Sequence, residues 1–155
     1  MLVSCGFHLR GSVELPETVK HVAVDDGDTA SEIATSLKIQ LTRNGIKPLQ
    51  NVDEAKLVIE IYRELFQRRV LTVSSAGQVQ EFELTYTVNY SIKNKDNINA
   101  SLVNQGLSLR RDLRFDPNEV LGKTSEEVRL RQDMLNAAAE QILRRLPNVA
   151  GVSQK

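Results

Sequence analysis

Glu81-Phe82-Glu83-Leu84-Thr85-Tyr86-Thr87-Val88-Asn89-Tyr90-Ser91-Ile92 is the stretch whose pattern decides the fold. Phe82, Leu84, Tyr86, Val88, Tyr90 and Ile92 take every second position, and Glu81, Glu83, Thr85, Thr87, Asn89 and Ser91 fill the gaps. Successive strand side chains point to opposite faces, so the run places an apolar row on one face and a polar row on the other. A strand buried on both faces reads as a continuous apolar run. Strict alternation therefore argues for a mainly antiparallel sheet covered on one side.

The same period continues on both sides of this run. Upstream, Leu57, Ile59 and Ile61 alternate with Val58, Glu60 and Tyr62, and Val70, Leu71 and Val73 carry that strand to a hairpin tip at Ser74-Ser75-Ala76-Gly77. Downstream, Asn94-Lys95-Asp96-Asn97 turns the chain, and Ile98, Ala100 and Leu102 begin the next strand. A bulge is expected near Gln105-Gly106, because Leu107, Leu109, Leu113 and Phe115 resume the alternation in shifted phase. Arg111 falls in that apolar phase, which an exit at the sheet edge or a carboxylate partner would explain.

Helical signals flank the meander. A short strand, His21-Val22-Ala23-Val24, ends at Asp25-Asp26-Gly27-Asp28. A helix is expected from Thr29 to Asn44, capped by Asp28 or by a Thr29/Glu32 capping box, with Ile33, Leu37 and Leu41 as its apolar stripe and Asn44-Gly45 as its stop. A second helix is expected from Thr124 to Leu146. It has a Thr124/Glu127 box, an apolar face of Val128, Leu135, Ala138, Ile142 and Leu146, and Pro147 as its end. The expected fold class is α+β: a two-layer sandwich in the order β-α-β-β-β-α, with both helices on one face of a four-stranded, mainly antiparallel or mixed sheet. Residues 1–17 read as an extended lead-in, 18–147 as one domain and 148–155 as a flexible tail.

Composition narrows the function classes. With 155 residues and 41% hydrophobic content, the chain suits one core of ordinary size. Its 20 basic side chains are matched by 20 acidic ones, so it lacks the general positive field that drives nucleic-acid binding. Nowhere does an apolar run approach the roughly 18 residues that a spanning helix needs.

Chemistry-bearing groups are sparse. His8 and His21 are the only histidines, and neither belongs to a His-Glu-x-x-His arrangement. Asp25, Asp26 and Asp28 have the spacing of a turn and helix cap, and no calcium-loop pattern continues them. No catalytic cluster, metal site or cofactor is expected. The single cysteine precludes an internal disulfide, but Leu2-Val3-Ser4-Cys5-Gly6 resembles the lipobox of bacterial lipoprotein precursors, in which cleavage leaves the cysteine as a lipidated first residue. A signal peptide's basic and hydrophobic regions belong upstream of such a box. Met1 alone precedes it, so the chain reads as lacking most of its signal.

Several stretches, in order, are similar to those of the LPS-assembly lipoprotein LptE (RlpB) family: Cys5-Gly6-Phe7-His8-Leu9-Arg10-Gly11, Leu41-Thr42-Arg43-Asn44-Gly45, and Gly77-Gln78 with Glu81-Phe82-Glu83-Leu84. So are Phe115-Asp116 through Leu121-Gly122-Lys123 into Glu126-Glu127, and Gln141-Ile142-Leu143-Arg144-Arg145-Leu146-Pro147. The resemblance implies a non-enzymatic lipoprotein on the periplasmic side of the outer membrane, anchored through a lipid on Cys5. It implies a role in plugging the LptD β-barrel, assisting its assembly and aiding delivery of lipopolysaccharide to the outer leaflet. The alternative is a stand-alone periplasmic lipoprotein that binds a small ligand or acts as a chaperone.

Lipopolysaccharide carries phosphates, which Arg and Lys engage through charge-assisted hydrogen bonds. Candidates are Arg110, Arg111 and Arg114, Lys123 in the loop that follows, and Arg68 with Arg69 before the hairpin tip. Lys123 leads, because its Leu-Gly-Lys setting matches a family loop associated with the ligand. Each of these residues, taken singly, also reads as a solvated or ion-paired surface charge. Where some relatives have a basic residue at the first hairpin tip, this chain has Ser74-Ser75-Ala76.

Overall fold

Four strands hydrogen-bond in chain order: β1 (Val22–Asp25), β2 (Leu57–Val73), β3 (Val79–Asn94) and β4 (Leu102–Arg114). The computed structural model describes residues 19–27, 30–114 and 120–151, the side chains of 120–124 excepted. β1 runs parallel to β2, whereas β2–β3 and β3–β4 are antiparallel. A parallel pair requires a crossover, which α1 (Glu32–Arg43) supplies. After β4 come α2 (Val120–Leu143) and the short α3 (Leu146–Val149).

The alternation read from β3 holds. Leu84, Tyr86, Val88, Tyr90 and Ile92 join Ile59 and Ile61 of β2, Ile33, Leu37 and Leu41 of α1, and Met134, Leu135, Ala138 and Ile142 of α2 in one core. Both helices therefore cover the same face of a four-stranded mixed sheet, and the α+β sandwich is as expected. Among the described residues, the opposite face is covered at a small patch where Ala23 and Val58 pack with Ala55, Leu49 and Val52.

Element ends depart from expectation for identifiable reasons. Ser31 caps α1 in place of the expected Asp28 or Thr29: its backbone is extended (φ −79°, ψ 130°) and its Oγ accepts from Ala34 N at 3.3 Å. Glu32, expected to close a capping box, instead accepts from Arg131 of α2 at 2.7 Å. At the other end Asn44 donates its backbone N–H to the last carbonyls, and Gly45 follows with φ +77°.

Ile98–Ala100 forms a single 3-10 turn, with Ile98 81% exposed, rather than the start of a strand. Asn94 Oδ1 accepts from both Asp96 N and Asn97 N at 3.0 Å and winds the chain tightly there. The bulge in β4 lies at Val103–Asn104, slightly before the expected Gln105-Gly106, because pairing jumps from Tyr90↔Gln105 to Ile92↔Leu102. Asn104 carries it with φ +52° while its N–H donates to Ser91 Oγ.

α2 starts at Val120, upstream of Thr124, so the expected capping box does not mark its start. Val128 is 63% exposed and off the expected buried face. Its stripe points toward α1, but α1 begins at Glu32, which meets Arg131 a turn later in α2. Pro147 does not end the packed chain. It sits in the first turn of α3, where its missing N–H costs nothing, and Leu146, Pro147 and Val149 are buried. Val149, expected in the tail, accepts from Asn94 Nδ2 at 2.7 Å.

Ser31 also donates to Glu64 Oε2 at 2.8 Å, which ties α1 to β2. Ser31→Ala removes both bonds and is expected to lower unfolding stability by roughly 1–2 kcal/mol. Urea titration followed by circular dichroism measures it, and an unchanged midpoint would remove Ser31 from this role.

Candidate functional site

Beyond Ile61 an irregularity in β2 determines which side chains face where. Pairing jumps from Ile61↔Tyr90 to Arg63↔Asn89, one extra residue on β2. Tyr62 faces away from the helices, as alternation from Ile61 requires, and its hydroxyl lies within hydrogen-bond reach of Glu60 (2.7 Å) and Ser91 Oγ (2.8 Å); the extra residue keeps Arg63 on that face too. Glu64, Phe66 and Arg68 pair with Val88, Tyr86 and Leu84 and so come to the helix side.

On that side polar groups lie at the margin of the core. Glu64 accepts from Ser31 Oγ and, at 2.9 Å, from the buried Tyr86 hydroxyl. Burial first, then the Glu64 charge, pushes the Tyr86 hydroxyl far above its ordinary pKa, so it remains a donor at all physiological pH. Arg131 stacks over Phe66 at 4.9 Å, and Arg68 stacks over Phe82 at 4.8 Å while pairing with Glu127 at 2.8 Å. A cleft of about 440 Å³ opens here, lined by Ser31, Glu32, Glu64, Phe66 and Arg131 among others. Its walls mix Ile61 and Phe66 with the Glu32–Arg131 ion pair and the hydrogen-bonded Ser31 and Glu64.

The open face of the sheet is the larger polar surface. Lys93 pairs with Glu60 at 2.7 Å, Arg69 with Glu83 at 2.7 Å and Arg114 with Glu81 at 3.7 Å, while Thr87 and Ser108 meet across β3–β4. The Arg69 hydrogen bond, opposed by burial and helped by the Arg69 and Arg110 charges, holds Glu83 below the usual carboxylate range. Burial pushes Glu60 up, but hydrogen bonds from Lys93 and Tyr62 and the Lys93 charge outweigh it and leave that carboxyl lowered.

The register divides the candidate cations between the faces. Arg110 pairs with Thr85 and Arg114 with Glu81, which puts both on the open face; Arg111 pairs with Leu84 and turns to the helix side. The expected cluster of Arg110, Arg111 and Arg114 is thus two groups. Arg111 is exposed on the edge strand, its Nη1 donating to the Arg110 carbonyl at 2.8 Å, which resolves its misfit in favour of an exit at the sheet edge. Lys123 lies within α2 rather than in a loop, with its side chain outside the described set. Cys5 also lies outside the described residues. Asp25 accepts from Gly27 N and Asp26 from Ser31 N, the turn and cap roles expected of them. Among the described residues no group of acidic, His and Cys side chains is arranged to hold a metal, and no helix is long and apolar enough to cross a membrane.

Sequence reading placed Tyr62 with Val58 and Glu60, opposite the apolar row, and the structure agrees; it missed the inward position of Glu64. The only available signal was the failure of strict alternation between Ile61 and Val70.

Because Glu83 is lowered from its ordinary 4.5, its contribution to stability is present above that value and is lost as pH falls through the folded one. The melting-temperature gap between the parent chain and Glu83→Gln should be full above the ordinary carboxylate range and shrink as pH falls below it. A gap independent of pH would contradict this.

The family model described as "LptE: Lipopolysaccharide-assembly" matches residues 19–146. The LPS-assembly lipoprotein LptE of Photorhabdus laumondii is 27% identical over 145 residues, covering 94% of this chain and 78% of that protein. Its namesake from Pectobacterium atrosepticum is 21% identical, covering 95% and 79%. Among solved structures, lipoprotein B of Nitrosomonas europaea superposes with a TM-score of 0.72 at 31% identity, covering 90% of this chain and 89% of that one. The rare lipoprotein B of Shewanella oneidensis does so at 0.67 and 24%, covering 79% and 90%. The β-α-β-β-β-α order, the one-sided helix layer and a match spanning nearly all of the packed domain place the chain in the LptE family of lipopolysaccharide-assembly lipoproteins.

Proposed function

We propose that this chain is an outer-membrane lipoprotein, anchored through Cys5, that sits in the lumen of the LptD β-barrel, assists its assembly and contacts lipopolysaccharide during delivery to the outer leaflet. The observation that carries the reading is the family match over residues 19–146. What the geometry adds is a surface suited to it. The lumen of a large membrane barrel is polar, and the open sheet face offers Tyr62, Thr85, Thr87, Asn89 and paired charges to such a wall. The helix layer turns most of its apolar side chains to the core, with Ile39 and Val128 left exposed. We therefore assign the open face to the barrel.

Arg110, Arg111 and Arg114, with Lys123 of α2, are the proposed contacts to phosphates of lipopolysaccharide. The Arg114 side chain is 92% exposed and Arg110 and Arg111 are exposed on the edge strand, which sets three guanidinium groups where an anion can reach them. A stand-alone small-ligand binder would be expected to enclose an apolar pocket. The cleft beside Phe66 is open and sets Glu32, Arg63, Glu64 and Arg131 among its apolar side chains, so it does not favour that reading.

Expressed in its native host as a full precursor with its own signal peptide, the protein should co-purify from outer membranes with a β-barrel protein. Recovery without any barrel partner would sink the proposal. For the glycolipid contact, Lys123→Asp combined with Arg114→Glu should weaken lipopolysaccharide binding by about tenfold or more while leaving the circular dichroism spectrum unchanged. Undiminished binding would remove these residues from the site.

A further inference from the structure

The sheet has two edges, and they are treated differently. Along β1, Leu49 N donates to the Val22 carbonyl at 2.8 Å and bridges to Ala23, so the chain after α1 covers that edge. Along the outer side of β4 no described residue pairs, and its 13 residues present roughly 40 Å of backbone donors and acceptors. An uncovered edge of that length accepts another strand unless something prevents it.

Two features control this edge. The bulge at Asn104, with φ +52°, interrupts it near its start and leaves residues 106–114 as the regular stretch. Within that stretch Arg111 folds its guanidinium onto the Arg110 carbonyl oxygen at 2.8 Å. The segment Ser108-Leu109-Arg110-Arg111-Asp112-Leu113-Arg114 carries three arginines against one aspartate, with Arg110 and Arg114 on the open face and Arg111 on the other. A guanidinium binds a carboxylate more strongly than a neutral carbonyl, so an approaching carboxylate draws Arg111 off the Arg110 backbone.

We infer that the outer edge of β4, residues 106–114, is an addition site for an extended acidic segment of a partner polypeptide, with Arg111 uncovering the edge when it meets a carboxylate. Main-chain pairing supplies the binding, and the arginines select the strand's charge. The inference does not depend on the barrel reading, since it needs only the edge and its charges.

Synthetic extended peptides of Thr and Val with Glu on both faces provide the test. They are compared with Lys-for-Glu and Gln-for-Glu twins, and with two copies methylated at one or the other alternate set of backbone nitrogens. The acidic peptide should slow amide exchange of residues 106–114 by about tenfold or more, and the Lys twin should not. Methylation of one alternate set should abolish binding and of the other leave it intact, which charge attraction alone cannot produce. In Arg111→Ala the preference for Glu over Gln peptide should fall severalfold. Equal binding by both methylated copies, protection confined to other strands, or no binding by the acidic peptide would overturn the inference.

Discussion

The pairing of β2 with β3, from Leu57↔Asn94 out to Val73↔Val79, is the constraint on which the remainder of the domain depends. A strand can offer only every second side chain to one face, so the alternation of β3 commits Leu84, Tyr86, Val88, Tyr90 and Ile92 to the same side. Helices that bury this row must lie on that side, and α1 and α2 both do. β1 then joins the outer side of β2 through the α1 crossover, and β4 joins β3 by a short turn. The polar row of β3 is left without a second layer.

The irregularity between Ile61 and Arg63 qualifies this scheme. One added residue keeps Arg63 outward beside Tyr62 and brings Glu64 inward, where its carboxylate is satisfied by Ser31, which caps α1, and by Tyr86 of the core row. A part-buried carboxylate left without donors is destabilising, so the bulge, the cap and the tyrosine hydroxyl support one another. On the outer face, regular alternation places Tyr62 beside Glu60, Ser91 and Lys93, forming a hydrogen-bonded surface where an apolar one would have invited aggregation.

Much of the architecture was legible because period-two alternation is strong over β3, and because Ile33, Leu37 and Leu41 mark α1 without ambiguity. Element ends were less so. Thr29/Glu32 and Thr124/Glu127 both satisfy the pattern of a capping box, yet Ser31 competes for the first cap and α2 begins before Thr124. Local chemistry permits several starts, and tertiary contacts such as Glu32 with Arg131 select among them. Val128 lies on a correct stripe but ahead of the point where α1 begins, which no single-helix pattern reveals. For the candidate site, residue types were legible but faces were not. Arg110 and Arg111 are adjacent in sequence, and only the β3–β4 register assigns them to opposite sides of the sheet.

The division into a helix layer turned mostly to the core and an available sheet face is the center of the functional account. Hydroxyl-radical footprinting of the protein in its native outer-membrane assembly, against the isolated chain, tests it most directly. Tyr62, 53% exposed on the open face, should lose reactivity in the assembly, whereas Ile39, 47% exposed on the outer side of α1, should keep it. Protection of Ile39 with Tyr62 unchanged would contradict the account and assign the helix layer to the partner.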